Sequence, residues 1–176
     1  MSTSNPFLSP ANASPAELLF SDLPNELAIT RRVLERVPDG HTDWVPHTKS
    51  ASLGRLATHL AELPRLTTTV LTTDELDWAT SGFTPRTLPS TAEILALFDE
   101  QSAAMQAALA SADWNAMAKE WVMRAGDHVF VRARKADLIR GLGISHMAHH
   151  RAQIGVYLRL LSVPVPKVYG PTADES

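Results

Sequence analysis

The segment from about Ala136 to Leu161 is long, largely apolar and free of proline, which predicts one helix. It carries His146 and His150 four residues apart. Residues at that spacing project from one helix face, about 40° apart around the axis. Two imidazoles on adjacent turns can hold one transition metal at about 2 Å from each ring nitrogen. The same face continues to Gln153 and Tyr157, polar groups where a core helix would carry leucine. His149 lies roughly 60° from His146 and 100° from His150, as a neighbour or a competing ligand.

Two histidines rarely hold a metal tightly, so the pattern calls for a third ligand. The chain has seven histidines: His41, His47, His59, His128, His146, His149 and His150. His59 is the strongest candidate, because Leu56, Leu60 and Leu63 flank it in a helical pattern and turn its face inward. A lone histidine on an apolar face is more often a satisfied core residue than a ligand. An H-x-x-x-H pair on a second helix shifts the balance toward a metal. His47 is read as a surface or capping residue ahead of a place at a pocket mouth, and His128 as an exposed strand residue.

At 176 residues the chain is read as one domain over residues 14–176, able to bury roughly two-thirds of its unfolded surface. Residues 1–13, rich in Ser, Asn, Pro and Ala, read as a flexible arm. The formal net charge of −3 gives no electrostatic reason to expect nucleic acid or anionic membranes as partners. With no cysteine, disulfides, thiolate ligands and a cysteine nucleophile of the protein's own are excluded. No run approaches 18 apolar residues, and the N-terminus shows no basic region followed by an apolar core. A cytoplasmic location is expected.

Ser14-Pro15 has the form of an N-cap and first helical residue. Leu23, Leu27, Thr30, Leu34 and Val37 then share one face; Pro24 either starts that helix, with Asp22 as cap, or kinks it. Pro38-Asp39-Gly40 is a turn, and Trp44 is expected to pack across a bundle end. Ser50 or Ser52 caps the second helix, which carries His59, and Pro64 is expected to kink or break it. Residues 74–89 are read as a loop. Ser90 or Thr91 with Glu93 starts a third helix whose buried stripe is Ile94, Phe98, Met105 and Leu109. Beta-rich runs around Gly126-Asp127 predict a small hairpin or extended excursion. The last helix begins near Lys135 to Asp137, and Gly141 and Gly143 within it mark close approach of a neighbour. Arg132, Arg134, Lys135 and Arg140 read as a solvated basic face. The fold class expected is all-α, a four-helix bundle with that excursion between its third and fourth helices.

Two widely separated motifs carry a resemblance. The first is Asp43-Trp44-x-Pro46-His47-x-Lys49-Ser50-x-Ser52-Leu53-Gly54, running into Leu56-Ala57-Thr58-His59-Leu60-Ala61-Glu62-Leu63-Pro64. The second is His146-x-x-His149-His150-Arg151-x-Gln153-x-Gly155-Val156-Tyr157-Leu158-Arg159-Leu160, followed by Val163-Pro164-Val165-Pro166-x-x-Tyr169-Gly170-Pro171. Over roughly residues 15 to 175 the sequence resembles the DinB/YfiT-like metal-binding four-helix bundles. One departure is Ala152, where the family usually has glycine, and a single methyl there leaves the metal reading standing. The resemblance implies His59, His146 and His150 as ligands of zinc or nickel, and a homodimer.

Three neutral imidazoles leave the charge of a divalent metal uncancelled and a coordination position open, the pattern of catalytic zinc sites. Such a metal lowers the pKa of bound water or of a thiol. Glu62, one turn after His59, either orients an imidazole, acts as a base, or pairs with a surface cation. Gln153 and Tyr157 are candidates to line the pocket or support a ligand, with Tyr157 equally read as packing. Relatives of this type include thiol S-transferases, a thiol-dependent isomerase and metal-dependent hydrolases. A chain with no cysteine would take an external low-molecular-weight thiol and join it to a small electrophile, and this is the leading expectation. The alternatives are hydrolysis at the metal, or a stress-linked metal-binding or interaction protein without turnover.

Overall fold

The computed structural model describes residues 14–176; the expected arm at 1–13 lies outside the described residues. The chain starts with a short helix α1 (Pro15–Leu19), whose N-cap Ser14 and Glu17 form a reciprocal capping box. Helix α2 (Leu23–Leu34) is separate from it. Asp22 occupies the N-cap position but makes no capping bond; its carboxylate instead accepts from Arg140 at 2.7 Å. The face Leu23, Leu27, Thr30, Leu34 and Val37 is buried as expected.

Helix α3 (Leu53–Thr72) is capped by Ser52, whose side chain accepts from the Arg55 N–H at 3.2 Å. It runs on through Pro64, which is buried inside it. Proline removes one helical hydrogen bond and costs about 3 kcal/mol in a helix interior; burial of the ring and of Leu60 and Leu63 beside it offsets that cost. Helix α4 (Thr91–Ala110), capped by Ser90, buries Ile94, Phe98, Met105 and Leu109 as its periodicity predicts. Each such side chain contributes about 1.5–3 kcal/mol when fully buried. A five-residue helix α5 (Trp114–Ala118) follows.

The expected all-α class needs correction, because the mostly helical chain also forms a three-stranded sheet. Strands β2 (Glu120–Ala125) and β3 (His128–Arg134) make the expected hairpin. Its turn places Gly126 at φ 57°, a conformation with no steric cost for glycine. Strand β1 (Glu75–Asp77) lies inside the segment read as a loop and pairs parallel to β2, Leu76 opposite Met123. Pairing is secured by Arg124, which bonds Glu75 at 2.7 Å and Asp77 at 2.5 Å. Trp121 is fully buried and its indole N–H donates to Thr73 Oγ1 at 3.0 Å, fastening the sheet to the end of α3.

The last helical stretch is divided rather than continuous. It consists of α6 (Lys135–Leu138), a π-helical segment (Ile139–Ser145) and α7 (His146–Leu160). A Cβ on Gly143 would lie 2.6 Å from Thr67 Oγ1 on α3, so the close approach expected there is present. Gly141 has nothing within 4 Å of such an atom and brings no neighbour close. Helix α3 packs against α4 on one side and against α7 and the π-helical segment on the other. Helix α2 packs on α4 and α7.

The basic group separates into two kinds. Arg132, Arg134 and Arg140 are exposed and paired with Glu120, Asp137 and Asp22, as a solvated face requires. Lys135 is buried instead, donating from Nζ to the Leu71 and Thr73 carbonyls at 3.2 and 2.6 Å. It satisfies carbonyls that the C-terminus of α3 would otherwise leave bare.

Candidate metal centre

Helices α3 and α7 bring His59, His146 and His150 together. One ring nitrogen from each lies within 4.8 Å of the others, and all three side chains are partly buried. The His59 ring centroid is 5.3 Å from that of His146 and 4.7 Å from that of His150. The Nε2 atoms of His146 and His150 face each other at 2.7 Å. The π-helical segment ends one residue before His146; its wider turn sets the angle at which that ring enters the site, as such turns often do at functional positions.

The tautomer of His150 follows from its neighbour. Its Nδ1–H donates to Gln153 Oε1 at 2.7 Å, which leaves a lone pair on Nε2 and aims it into the trio. On His146, the Nδ1 is buried and, among the described residues, meets no partner in hydrogen-bond geometry. The Leu142 carbonyl is close enough to favour a proton on that ring, but its approach falls short of a hydrogen bond. Two ring nitrogens at 2.7 Å need either an N–H of one neutral ring donating to the other or a metal ion between them, to avoid opposed lone pairs.

All three rings are held neutral. Burial, then the neighbouring His150 and His146 and the Arg55 guanidinium, push His59 down to about 4. Burial first, with His150 and His149 adding to it, lowers His146. Burial likewise lowers His150, where the Gln153 bond opposes the shift and His149 and Arg55 reinforce it. Neutral imidazoles are the form that binds metal. Two nitrogens on one tetrahedral zinc lie roughly 3.3 Å apart; the trio, spanning 2.7 Å to 4.8 Å, brackets that spacing. The donor set therefore fits a divalent transition metal, which His59, His146 and His150 would hold.

The remaining sequence candidates fall outside the trio. His149 is exposed, its ring 4.9 Å from that of His150. His47 is exposed, and its Nδ1 accepts from the Lys49 N–H at 3.1 Å, a local capping contact. His128 is exposed and stacks edge-on against Phe130; His41 stays on the surface beside the Asp39 carbonyl. Glu62 sits between two arginines, 3.4 Å from Arg55 and 3.6 Å from Arg86, its side chain only 12% exposed. Tyr157 packs edge-on against Trp44 at 5.5 Å and donates to the Ala51 carbonyl at 3.3 Å.

His59 and His146 open onto a cavity of about 770 Å³. Its polar end holds Arg55 and Glu62, and its far wall is built from Leu66, Leu76, Trp78, Phe83, Met123 and Phe130. Strand β1 and the turn after it supply Leu76, Trp78 and Phe83, so the one strand that sequence patterning missed helps close the site. Arg55 was also missed, although it stands four residues before His59 and seven before Glu62 on the same helix face. Arg151, in the motif next to His150, was given no part to play. About 100° round the helix from His150, it turns toward α2 and forms a buried ion pair with Glu26 at 2.7 Å.

Among solved structures, a DinB-like protein from Bacillus subtilis aligns with a TM-score of 0.67 and 16% identity, covering 85% of this chain and 96% of that one. A DinB-like protein from Bacillus cereus aligns with a TM-score of 0.65 and 19% identity, covering 86% of this chain and 95% of that one. At those identities the likeness is one of fold. No curated protein matches the sequence significantly. The model of the DinB family matches residues 1–176, and the chain belongs to that family.

Proposed function

We propose that this chain is a metal-dependent thiol S-transferase built on a single four-helix-bundle domain. The observation that carries the reading is a three-imidazole centre opening onto a large apolar cavity, in a chain that has no cysteine. A structural site would close its fourth position with protein, whereas among the described residues no fourth acidic or histidine ligand joins the trio. Zinc or nickel held there would lower the pKa of a thiol that reached it.

The chain's own residues do the rest. Gln153 fixes the His150 ring, and the neutral state of His59 and His146 keeps their lone pairs available. Arg55 adds positive charge beside the site, favouring a thiolate over a thiol. The apolar wall receives the electrophile and excludes water from the reacting sulfur. The sulfur pair forms the new S–C bond, the leaving group departs with its pair, and the thiol proton passes to solvent. Glu62 is already committed to Arg55 and Arg86 and is not a free base, so activation of the thiol would fall to the metal.

The partners proposed are a low-molecular-weight thiol, a small electrophile and a second copy of the chain. Val156 and Leu160, 58% and 59% exposed and four residues apart on α7, supply an apolar stripe for that dimer. Among the described residues no helix is long and apolar enough to cross a membrane; a cytoplasmic setting, where reduced thiols are available, suits the reaction.

The test is metal analysis of untagged wild type and His59→Ala, followed by a thiol screen against a fluorogenic alkylating electrophile. About one zinc or nickel per chain, lost in the variant, with thiol-dependent turnover that follows metal content, is the expected result. Wild type that neither contains nor takes up metal would end the catalytic reading. Metal without turnover on any thiol would leave hydrolysis or a non-catalytic metal-binding role.

A further inference from the structure

The cavity and a smaller one beside it are lined by three guanidinium groups, those of Arg55, Arg65 and Arg86, with one carboxylate among them. That carboxylate, Glu62, is taken by Arg55 at 3.4 Å and Arg86 at 3.6 Å. Arg65 makes no ion pair among the described residues and instead lies over the Phe83 ring, 5.5 Å from its centroid. Stacking of this kind holds a guanidinium in place while leaving its N–H groups free. Arg65 lines both the main cavity and a smaller one of about 340 Å³ that continues past Phe83 toward Arg86. Along α3 it stands six residues beyond His59, about 9 Å by helix rise. The same cavity is lined by apolar surfaces, Leu66 from α3 and Trp78 and Phe83 from the segment after β1.

A guanidinium stacked on Phe83 and unpaired among the described residues, an apolar wall, and His59 and His146 line one cavity and define a ligand with three parts. We propose that the cavity selects organic anions, an aryl or alkyl body lying on the Trp78–Phe83 wall with a carboxylate on Arg65. Of the two substrates of the proposed transfer, this describes the electrophile. A low-molecular-weight thiol is too polar to gain from that wall, and its sulfur must reach the histidine end. The assignment of the anion as electrophile rests on the transferase reading; its binding to Arg65 does not.

Three isosteric probes separate the contributions: phenylbutyrate, phenylbutanol and phenylbutylamine, titrated calorimetrically into the full chain, as purified and after chelation. The acid binds about tenfold more tightly than the alcohol, and the amine most weakly. Arg65→Gln brings the acid to the affinity of the alcohol and leaves the alcohol unchanged. Arg159→Gln, which removes an equal charge paired with Asp174 at the far end of α7, keeps the preference. Trp78→Leu weakens all three probes together. Equal affinities for the three, binding by none, or an acid preference that survives Arg65→Gln would overturn the inference. Because the preference persists in chelated protein, loss of metal binding alone would count against the transferase reading and leave the anion site intact.

Discussion

The Nδ1 of His150 lies 2.7 Å from Oε1 of Gln153, three residues further along the same helix. That contact makes Gln153 a positioning residue for a ligand. Gln153→Leu is expected to weaken metal affinity by about 10- to 100-fold, the usual cost of losing such support. Gln153→Glu, which keeps the acceptor, should restore it. A chelator-competition titration of the three proteins reads the effect, and a Leu variant with wild-type affinity would remove Gln153 from the site.

The adjacent histidines on α7 should behave oppositely. His150→Ala abolishes tight metal binding because it removes one of three donors, while His149→Ala changes it little. His149 is exposed and outside the ligand trio. The reverse result would show that the other member of the pair holds the metal.

Gly143, within the π-helical turn ahead of His146, and Thr67 on α3 form a close steric pair. Gly143→Ala drives a methyl to within 2.6 Å of Thr67 Oγ1 and should cost about 1–3 kcal/mol. Among the described residues Thr67 Oγ1 is buried without a partner, so Thr67→Ala is cheap and should rescue the glycine variant in a double-mutant cycle. Gly141→Ala meets nothing and should be neutral or stabilising by roughly 0.4–1 kcal/mol. Urea denaturation of the four variants checks the set; failure of the rescue would break the proposed pairing.

Acid should destabilise the metal-free protein through His59. Its pKa falls from 6.5 to about 4 on folding, chiefly through burial. Between those values the unfolded chain binds a proton that the folded chain does not. Stability is therefore complete above 6.5, declines as pH falls through the window, and levels off near 4, once the folded ring protonates. Asp77, held below its usual 3.8 mainly by the Gly126 N–H, acts at lower pH. Thermal melts in chelator should show a shallower acid decline for His59→Asn than for wild type; identical slopes would assign the decline elsewhere.

The Arg151–Glu26 pair, with side chains 1% and 8% exposed, is completed by Thr30 and by the hydroxyl of Tyr169 in the C-terminal segment. Arg151→Met leaves a buried carboxylate uncompensated and should cost about 3–5 kcal/mol. Adding Glu26→Gln should recover part of that loss. A double variant no better than the single one would place the cost in packing rather than charge.

Periodicity made the candidate histidines legible, because a helix fixes which residues share a face, and the family resemblance of the two motifs completed the ligand set. His146 and His150 had to be neighbours, and His59 had to point inward from α3. What periodicity cannot supply is pairing between distant segments. Glu75-Leu76-Asp77 is too short to declare itself a strand and becomes one only against Val122, Met123 and Arg124. The π-helical turn carries Gly143, whose missing side chain leaves room for Thr67 of α3, and Lys135 is buried where its ammonium meets two carbonyls at the end of that helix. Glu62 showed both its faces in the sequence, but its second partner, Arg86, comes from a loop whose path no local pattern records.

The parallel pairing of β1 with β2 spans the whole of α4 in sequence. Contacts of that kind close a long loop before they return any stabilisation, whereas helices form from neighbours. The wall of the cavity is thus expected to assemble after the helices that carry the histidines, and to open before they melt. In native-state hydrogen exchange, amides of β1 and its partner should exchange through a sub-global opening that leaves α3 and α7 protected. The same opening would admit a bulky ligand without disturbing the three imidazoles, separating access to the centre from the stability of the centre itself.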